Sequence, residues 1–144
     1  MQIQFTQTSH GSIPYLQSLA LRHEVLREPL DMQFTAQEIA EENTQIHIIG
    51  MANDLVVASN SIINMPNNVA KIRQVAVLPA FQGQGIGHKL SIFTQQYLKE
   101  NGVFSLILHA RMTAVPFYQS LGYSISGDQF YEVGIAHYKM LKTL

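Results

Sequence analysis

The sequence predicts an α+β domain built on a mixed sheet, and three observations carry that expectation. Short apolar runs suited to strands lie at residues 46–51, 55–63, 70–78 and 103–110. Ile86, Leu90, Phe93 and Tyr97 instead recur at helical spacing. The order of segments is strand, two helices, three strands, helix, strand, helix and two strands.

Each element has a local reason. Residues 2–6 alternate loosely and open the domain as a strand. Ser12 followed by Pro14 marks a helix start, and Leu16, Leu19, His23 and Leu26 then form one face. Pro29 ends that helix by pushing Glu28 out of helical geometry. Thr35 and Glu38 match a capping box for a second, short helix. Strands 46–51 and 55–63 are joined through Ala52, Asn53 and Asp54, and residues 65–68 turn into strand 70–78. A glycine segment leads into the amphipathic helix, and Gly102 is placed to close it in left-handed geometry. After the buried strand 103–110, Thr113 caps a helix through Leu121 with Pro116 in its first turn, and Gly122 closes it. Strands near Tyr123–Tyr131 and Ile135–Leu141 finish the chain.

Composition removes several functions. The 144 residues suit one domain, 1–144, able to bury about two thirds of its unfolded surface. With a net charge of −1 and scattered basic residues, no nucleic-acid surface is expected. The absence of cysteine excludes disulfides, thiolate metal sites and a cysteine nucleophile. The six histidines lack metal-ligand spacing, so no metal is expected. The start of the chain lacks the pattern of a secretory signal. The longest apolar stretch, 46–63, is broken by His47, Asn53, Asp54, Ser59, Asn60 and Ser61, so no membrane span is expected and the expected compartment is the cytoplasm. The low charged fraction, 13%, points to self-association, such as a homodimer, or to an apolar groove.

The segment Gln82-Gly83-Gln84-Gly85-Ile86-Gly87 lies at a strand-to-helix junction. Glycines let successive N–H groups point at an anion, and a helix starting near Gly85 adds its positive end. A Walker A loop fails because Lys89 is followed by Leu90. A dinucleotide fingerprint fails because its third glycine would fall on His88 or Leu90, and no acidic ribose partner follows. The pattern Gln/Arg-x-x-Gly-x-Gly/Ala fits every fixed position. With residues 75–87 and the later segment 114–123, which carries a Phe-Tyr pair and a Gly-aromatic exit, the sequence resembles the GNAT superfamily of acyl-CoA N-acyltransferases.

That resemblance covers nearly the whole chain and implies a mixed, mostly antiparallel central sheet flanked by about four helices. It implies acetyl-CoA as co-substrate: the pyrophosphate on Gln82, Gly83, Gln84, Gly85, Ile86, Gly87 and His88, and the pantetheine amides on the main chain of Val75, Ala76 and Val77. It implies Tyr118 as the acid that protonates the departing thiolate. Many members carry a glutamate in the strand before the glycine loop, where this chain has Lys71 and Arg73 and no carboxylate. The ending 130–140 resembles the ElaA-type pattern F-x-E-x-G-I-x-H-x-x-M and offers Glu132 and His137, with Gly134 between them to bend the chain. His109, Glu24, Glu42 and a water relay are the other routes for deprotonation, and the sign-alternating Arg22, Glu24, Arg27 and Glu28 form either an acceptor-side lid or a solvated face. The expected function is acetyl transfer to a primary amine of a small molecule or peptide. The alternative is an acyl-CoA-binding sensor or assembly module without turnover.

Overall fold

A computed structural model describes residues 2–144. Eight strands, β1 (Gln4–Thr8), β2 (Ile46–Ala52), β3 (Leu55–Met65), β4 (Val69–Val77), β5 (Ser105–Arg111), β6 (Ser124–Ile125), β7 (Phe130–Glu132) and β8 (Ile135–Thr143), form one sheet in the order β1-β2-β3-β4-β5-β8-β6. The short β7 also pairs with β8, and every pairing is antiparallel except β4 with β5. Four α-helices accompany it: α1 (Ile13–Arg22), α2 (Ala36–Glu41), α3 (Ile86–Glu100) and α4 (Val115–Ser120). This is the α+β architecture with a mixed sheet that the element order predicts, and its mostly antiparallel pairing is what the family resemblance implies.

Strand alternation sends buried side chains to both faces of the sheet. Ile48, Ile62, Ile72, Leu106, Leu108 and Met140 pack with Ile86, Leu90 and Leu98 of α3 and with Val115 and Tyr118 of α4. On the opposite face, Ile49, Val56 and Ala76 meet Leu21 of α1. Asn60 reaches from β3 to donate to the Thr94 hydroxyl at 2.9 Å, which ties α3 to the sheet by a buried polar contact. Gly102 takes φ +85° just past α3, with Val103 N–H donating to the Leu98 carbonyl and Gly102 N–H to that of Lys99, the expected left-handed close. Thr35 and Glu38 make both bonds of the capping box. Among the described residues, no helix is long and apolar enough to cross a membrane.

Four elements differ from the sequence expectation. The first strand is Gln4–Thr8 rather than 2–6, in register with His47–Met51. The last long strand before β8 is broken into β6 and β7, because residues 126–129 are irregular, although Ser126 N–H still donates to the Lys139 carbonyl at 2.8 Å. Thr113 makes no cap: a 3-10 turn at Met112–Ala114 runs straight into α4, whose N-cap is Ala114. The first helix changes most. It is α-helical only to Arg22, continues as a π turn over His23–Arg27, and ends in a 3-10 turn with Pro29 in its first positions.

The buried stripe of α1 is also different. Leu16 is 54% exposed, and the inward face is Tyr15, Ser18, Leu21 and Arg22. Apolar spacing missed it because the face carries a polar network. Arg22, 1% exposed, donates from both terminal guanidinium nitrogens to the Glu42 carboxylate at 2.8 and 2.9 Å, and to the Gln74 amide oxygen at 2.6 Å. Tyr15 donates its hydroxyl to Glu42 at 2.7 Å. His47 lies beneath, 2.9 Å from the Glu42 backbone carbonyl and 3.1 Å from the Ser61 hydroxyl.

Burial by itself would raise the Glu42 carboxyl, but hydrogen bonds and charge from Arg22, with the Tyr15 bond, hold it below its ordinary 4.5. Burial pushes the His47 imidazole below 6.5, and the neighbouring Glu42 offsets that only in part. Both groups therefore bind fewer protons folded than unfolded, so stability drops as pH falls. The His47 loss begins below 6.5 and the Glu42 loss below 4.5. The urea midpoint is expected to stay level above about pH 7, then decline through the histidine range. His47→Gln removes that first decline, and a wild-type midpoint that stays level down to about pH 5 contradicts it.

Candidate active site

The site begins where two strands part. β4 and β5 pair from Val69↔Ser105 to Ile72↔Leu108 and then stop, although β4 runs on to Val77 and β5 to Arg111. On the other edge of β4, Ser61 pairs with Arg73 while Ser59 pairs with Ala76, so β4 carries one extra residue. Gln74 sits in that bulge at φ +53°. A bulge bends its strand and sharpens the local twist, which turns the rest of β4 away from β5. Beyond Ile72, the edge of β4 facing β5 has no strand partner.

Two cavities open at this gap. One, about 540 Å³, is walled by Val75, Ala76, Val77, Phe81, Gln82, Gly83, Gly85, Ile86, Gly87, His88 and Phe117. The other, about 520 Å³, is walled by Leu26, Arg27, Lys71, Arg73, His109, Arg111, Glu132, Val133 and His137, among others. Val25, Val75, Ala114 and Tyr118 belong to both walls.

The first cavity is suited to an anion. Gly83 and Gly85 take φ +77° and +78°, and a Cβ on either meets nothing within 4 Å. Glycine is therefore needed for conformation, and the space above it stays open. Gly85 is the N-cap of α3 and supplies no side chain to it, so first-turn N–H groups of this 15-residue helix have no acceptor within the helix. Gly87 faces Phe117 of α4, where an added Cβ would make only ordinary contact at 3.5 Å, so packing does not require glycine there. Two glutamines behave differently from their neighbours. Gln82 donates its side-chain amide to the Val77 carbonyl at 2.8 Å, tying loop to strand, and Gln84 turns back toward the Ala80 carbonyl at 3.4 Å, off the cavity wall.

Tyr118 sits in the partition between the cavities. Its backbone is fixed by the end of α4, where Tyr123 N–H donates to the Tyr118 carbonyl and Gly122 N–H to that of Gln119. Its ring meets Phe117 and Tyr123 edge-on, with centroids 5.1 and 5.6 Å away. Burial pushes the phenol up to about 12, so it carries its proton throughout the physiological range.

In the second cavity, Glu132 lies between two imidazoles. One carboxylate oxygen is 3.1 Å from His109 Nδ1, and the other is 3.7 Å from His137 Nε2. His137 Nδ1 stands 2.7 Å from the Ile135 carbonyl, which can only accept, so the neutral ring keeps its lone pair on Nε2. His109 donates Nδ1–H to the carboxylate, which leaves its Nε2 with a lone pair. Phe130 packs against both rings, at 5.0 and 5.9 Å. Glu132 and His137 are brought together because Val133 and Gly134, at φ +47° and +75°, form the tight turn between β7 and β8.

The other carboxylates lie elsewhere. Glu42 is buried in the Arg22 network, and Glu24 points outward from the π turn; neither lines the cavity. Arg27 lines the cavity from the segment offered as a lid, whereas the π turn that lays Val25 and Leu26 over the gap, and Arg111 at the end of β5, had no signal in the sequence. Among the described residues, no three His, Asp or Glu side chains are placed to ligate a metal ion.

Val133 is a β-branched residue in left-handed geometry and is 49% exposed. Relieving that strain with Val133→Asn is expected to stabilise the protein by about 1 kcal/mol in urea unfolding. Destabilisation by the same substitution contradicts the strained turn.

Comparison with known proteins places this geometry. The family described as "Acetyltransferase (GNAT) domain" matches residues 15–144. A Bacillus subtilis protein, YyaT, is 35% identical over 77 residues, which are 54% of this chain and 52% of that protein. The match thus spans about half the length of that relative. Among solved structures, Escherichia coli ElaA superposes with a TM-score of 0.84 at 25% identity, covering 98% of this chain and 99% of that one. An acyl-CoA N-acyltransferase from Pseudomonas aeruginosa superposes at 0.85 with 20% identity, covering 98% and 99%. A GNAT family acetyltransferase from Elizabethkingia anophelis, solved with acetyl-CoA bound, superposes at 0.76 with 18% identity, covering 99% and 98%. At that identity these last two likenesses show the fold alone.

Proposed function

The chain belongs to the GNAT acetyltransferase family, and on that premise we propose that it transfers the acetyl group of acetyl-CoA to a primary amine of a small molecule or peptide. The observation that carries this reading is the position of Tyr118 in the wall common to both cavities. An acid there reaches the place where a donor from one side meets an acceptor from the other.

Acetyl-CoA supplies an acyl group activated as a thioester. The loop Gln82–His88 holds the pyrophosphate on backbone N–H groups and the start of α3, with Gln82 bracing the loop against Val77 rather than reaching the anion. The edge of β4 from Val75 to Val77 has no partner on the β5 side and meets the pantetheine amides. The Val77 carbonyl is already taken by Gln82 and Ala76 is in register with Ser59 of β3, so the groups left unpaired gain most from being paired. On the other side, Glu132 attracts the substrate ammonium, and the cluster it forms with His109 and His137 takes up the amine's proton. His109 Nε2 is the more open of the two lone pairs: its side chain is 25% exposed against 6% for His137. As the amine nitrogen bonds to the acetyl carbon and the C–S bond breaks, Tyr118 donates its O–H to the departing sulfur. Its raised pKa keeps it in the donating form.

The reading is tested by thiol release from acetyl-CoA over a panel of primary amines. Tyr118→Phe is expected to fold and bind coenzyme A normally while losing about 10²–10⁴ in kcat. An unchanged kcat, with chemistry rate-limiting, contradicts the role of Tyr118. Coenzyme A binding without thiol release from any amine favours a sensor over an enzyme.

Coenzyme A is also expected to raise the melting temperature, because it binds the folded loop and not the unfolded chain. Gly85→Val abolishes that shift: valine is strained at φ +78° and fills the space left for the pyrophosphate. A folded Gly85→Val protein with normal coenzyme A affinity contradicts the loop assignment.

A further inference from the structure

The two cavities differ sharply in charge. No lysine or arginine lines the cavity beside the glycine loop, whereas Arg27, Lys71, Arg73 and Arg111 all line the other. Arg27 is already neutralised by Glu38 at 3.0 Å and lies over the Phe34 ring at 4.3 Å. Glu132 accepts from His109 at 3.1 Å, has its other oxygen 3.7 Å from His137 Nε2, and pairs with none of these cations. Among the described residues, Lys71, Arg73 and Arg111 have neither an ion-pair partner nor a side-chain hydrogen bond. Lys71 and Arg73 are alternate residues on one face of β4, and Arg111 stands opposite His137 across the β5–β8 ladder. All three are half-buried.

We propose that the acceptor is an amine that also carries an anionic group, a carboxylate or a phosphate, held by Lys71, Arg73 and Arg111. The proposal rests on the reading of this cavity as the acceptor side. Three half-buried like charges without partners repel one another and are poorly hydrated, which opposes the empty state. Burial, with Arg73 beside it, holds the Lys71 ammonium below its ordinary range, and Glu132 only partly opposes this. An anion entering the cavity relieves both effects. Guanidinium forks match the planar oxygens of a carboxylate or the face of a phosphate. The phosphates of coenzyme A do not explain these cations, because no residue of the glycine loop lines their cavity. The remaining geometry fits such a molecule, with its ammonium at Glu132 and its anion at the arginines.

The test compares kcat/KM for matched amines at saturating acetyl-CoA: β-alanine against β-alaninamide, and phosphoethanolamine against ethanolamine. The anionic member of at least one pair is expected to be preferred by about 10- to 100-fold, the scale of one or two charge-assisted hydrogen bonds. The preferred pair identifies the anion as carboxylate or phosphate. Lys71→Gln combined with Arg73→Gln collapses that ratio, Arg111→Gln from the other strand lowers it independently, and Lys99→Gln on the exposed end of α3 leaves it unchanged. Preference for the neutral amines, or a ratio that survives these cavity variants, overturns the proposal. If no amine is turned over, catalysis itself fails, and calorimetry on the coenzyme A-saturated protein decides the charge question separately. Binding of β-alanine or phosphoethanolamine that is lost in the double variant supports the anion site, and binding of neither overturns it.

Discussion

Arg22 is a guanidinium buried at the end of α1, and a buried charge must be neutralised where it lies. Glu42 does so from beyond α2, and Tyr15 completes that carboxylate's bonds. The remaining reach of Arg22 goes to Gln74, the left-handed residue of the bulge in β4. One side chain thus joins α1, the segment after α2 and the irregular point of the central sheet. Removing either partner leaves an unpaired charge in the interior, so the bulge is held by a penalty rather than by packing alone. From the bulge onward β4 turns away from β5, and that gap is the origin of both cavities.

The gap determines what each neighbouring element can contribute. The same helix that ends in Arg22 continues as a π turn, which carries Val25 over the gap and Leu26 and Arg27 over the wall of the second cavity. β4 leads into the glycine loop, so the uncapped start of α3 faces one side of the opening. β5 leads into α4, so Tyr118 stands in the partition. The turn between β7 and β8 delivers Glu132 and His137 from the far side, at the expense of a strained Val133. Irregular backbone therefore gathers around the opening, while the regular ladder and α3 supply the stability that tolerates it.

Much of this was legible in the sequence where a residue type has one conformational meaning. The alternate glycines announced a left-handed turn into a helix, Thr35 with Glu38 announced a helix start, and Gly102 announced a helix end. The buried face of α1 was hidden because its key members are a tyrosine, a serine and an arginine, which periodicity counts as surface. The bulge was hidden for a related reason: Gln74 adopts left-handed geometry with neither glycine nor asparagine to signal it, because a tertiary hydrogen bond holds it there. The Glu132–His137 pairing was expected around Gly134, but the addition of His109 depends on strand register between β5, β8 and β7, which no local pattern encodes. Glu42 is a candidate base in the sequence as a carboxylate near the helical segment; its burial against Arg22 gives it a structural place instead.

The central claim is that the parting of β4 and β5 leaves main-chain groups of Val75 to Val77 open to the acyl carrier, and amide hydrogen exchange with and without coenzyme A addresses it most directly. The account predicts that coenzyme A slows exchange within Val75–Val77 and at the start of α3, while the paired segment from Val69 to Ile72 is protected equally in both states. Protection confined to the loop and α3, with residues 75–77 unchanged, would contradict it.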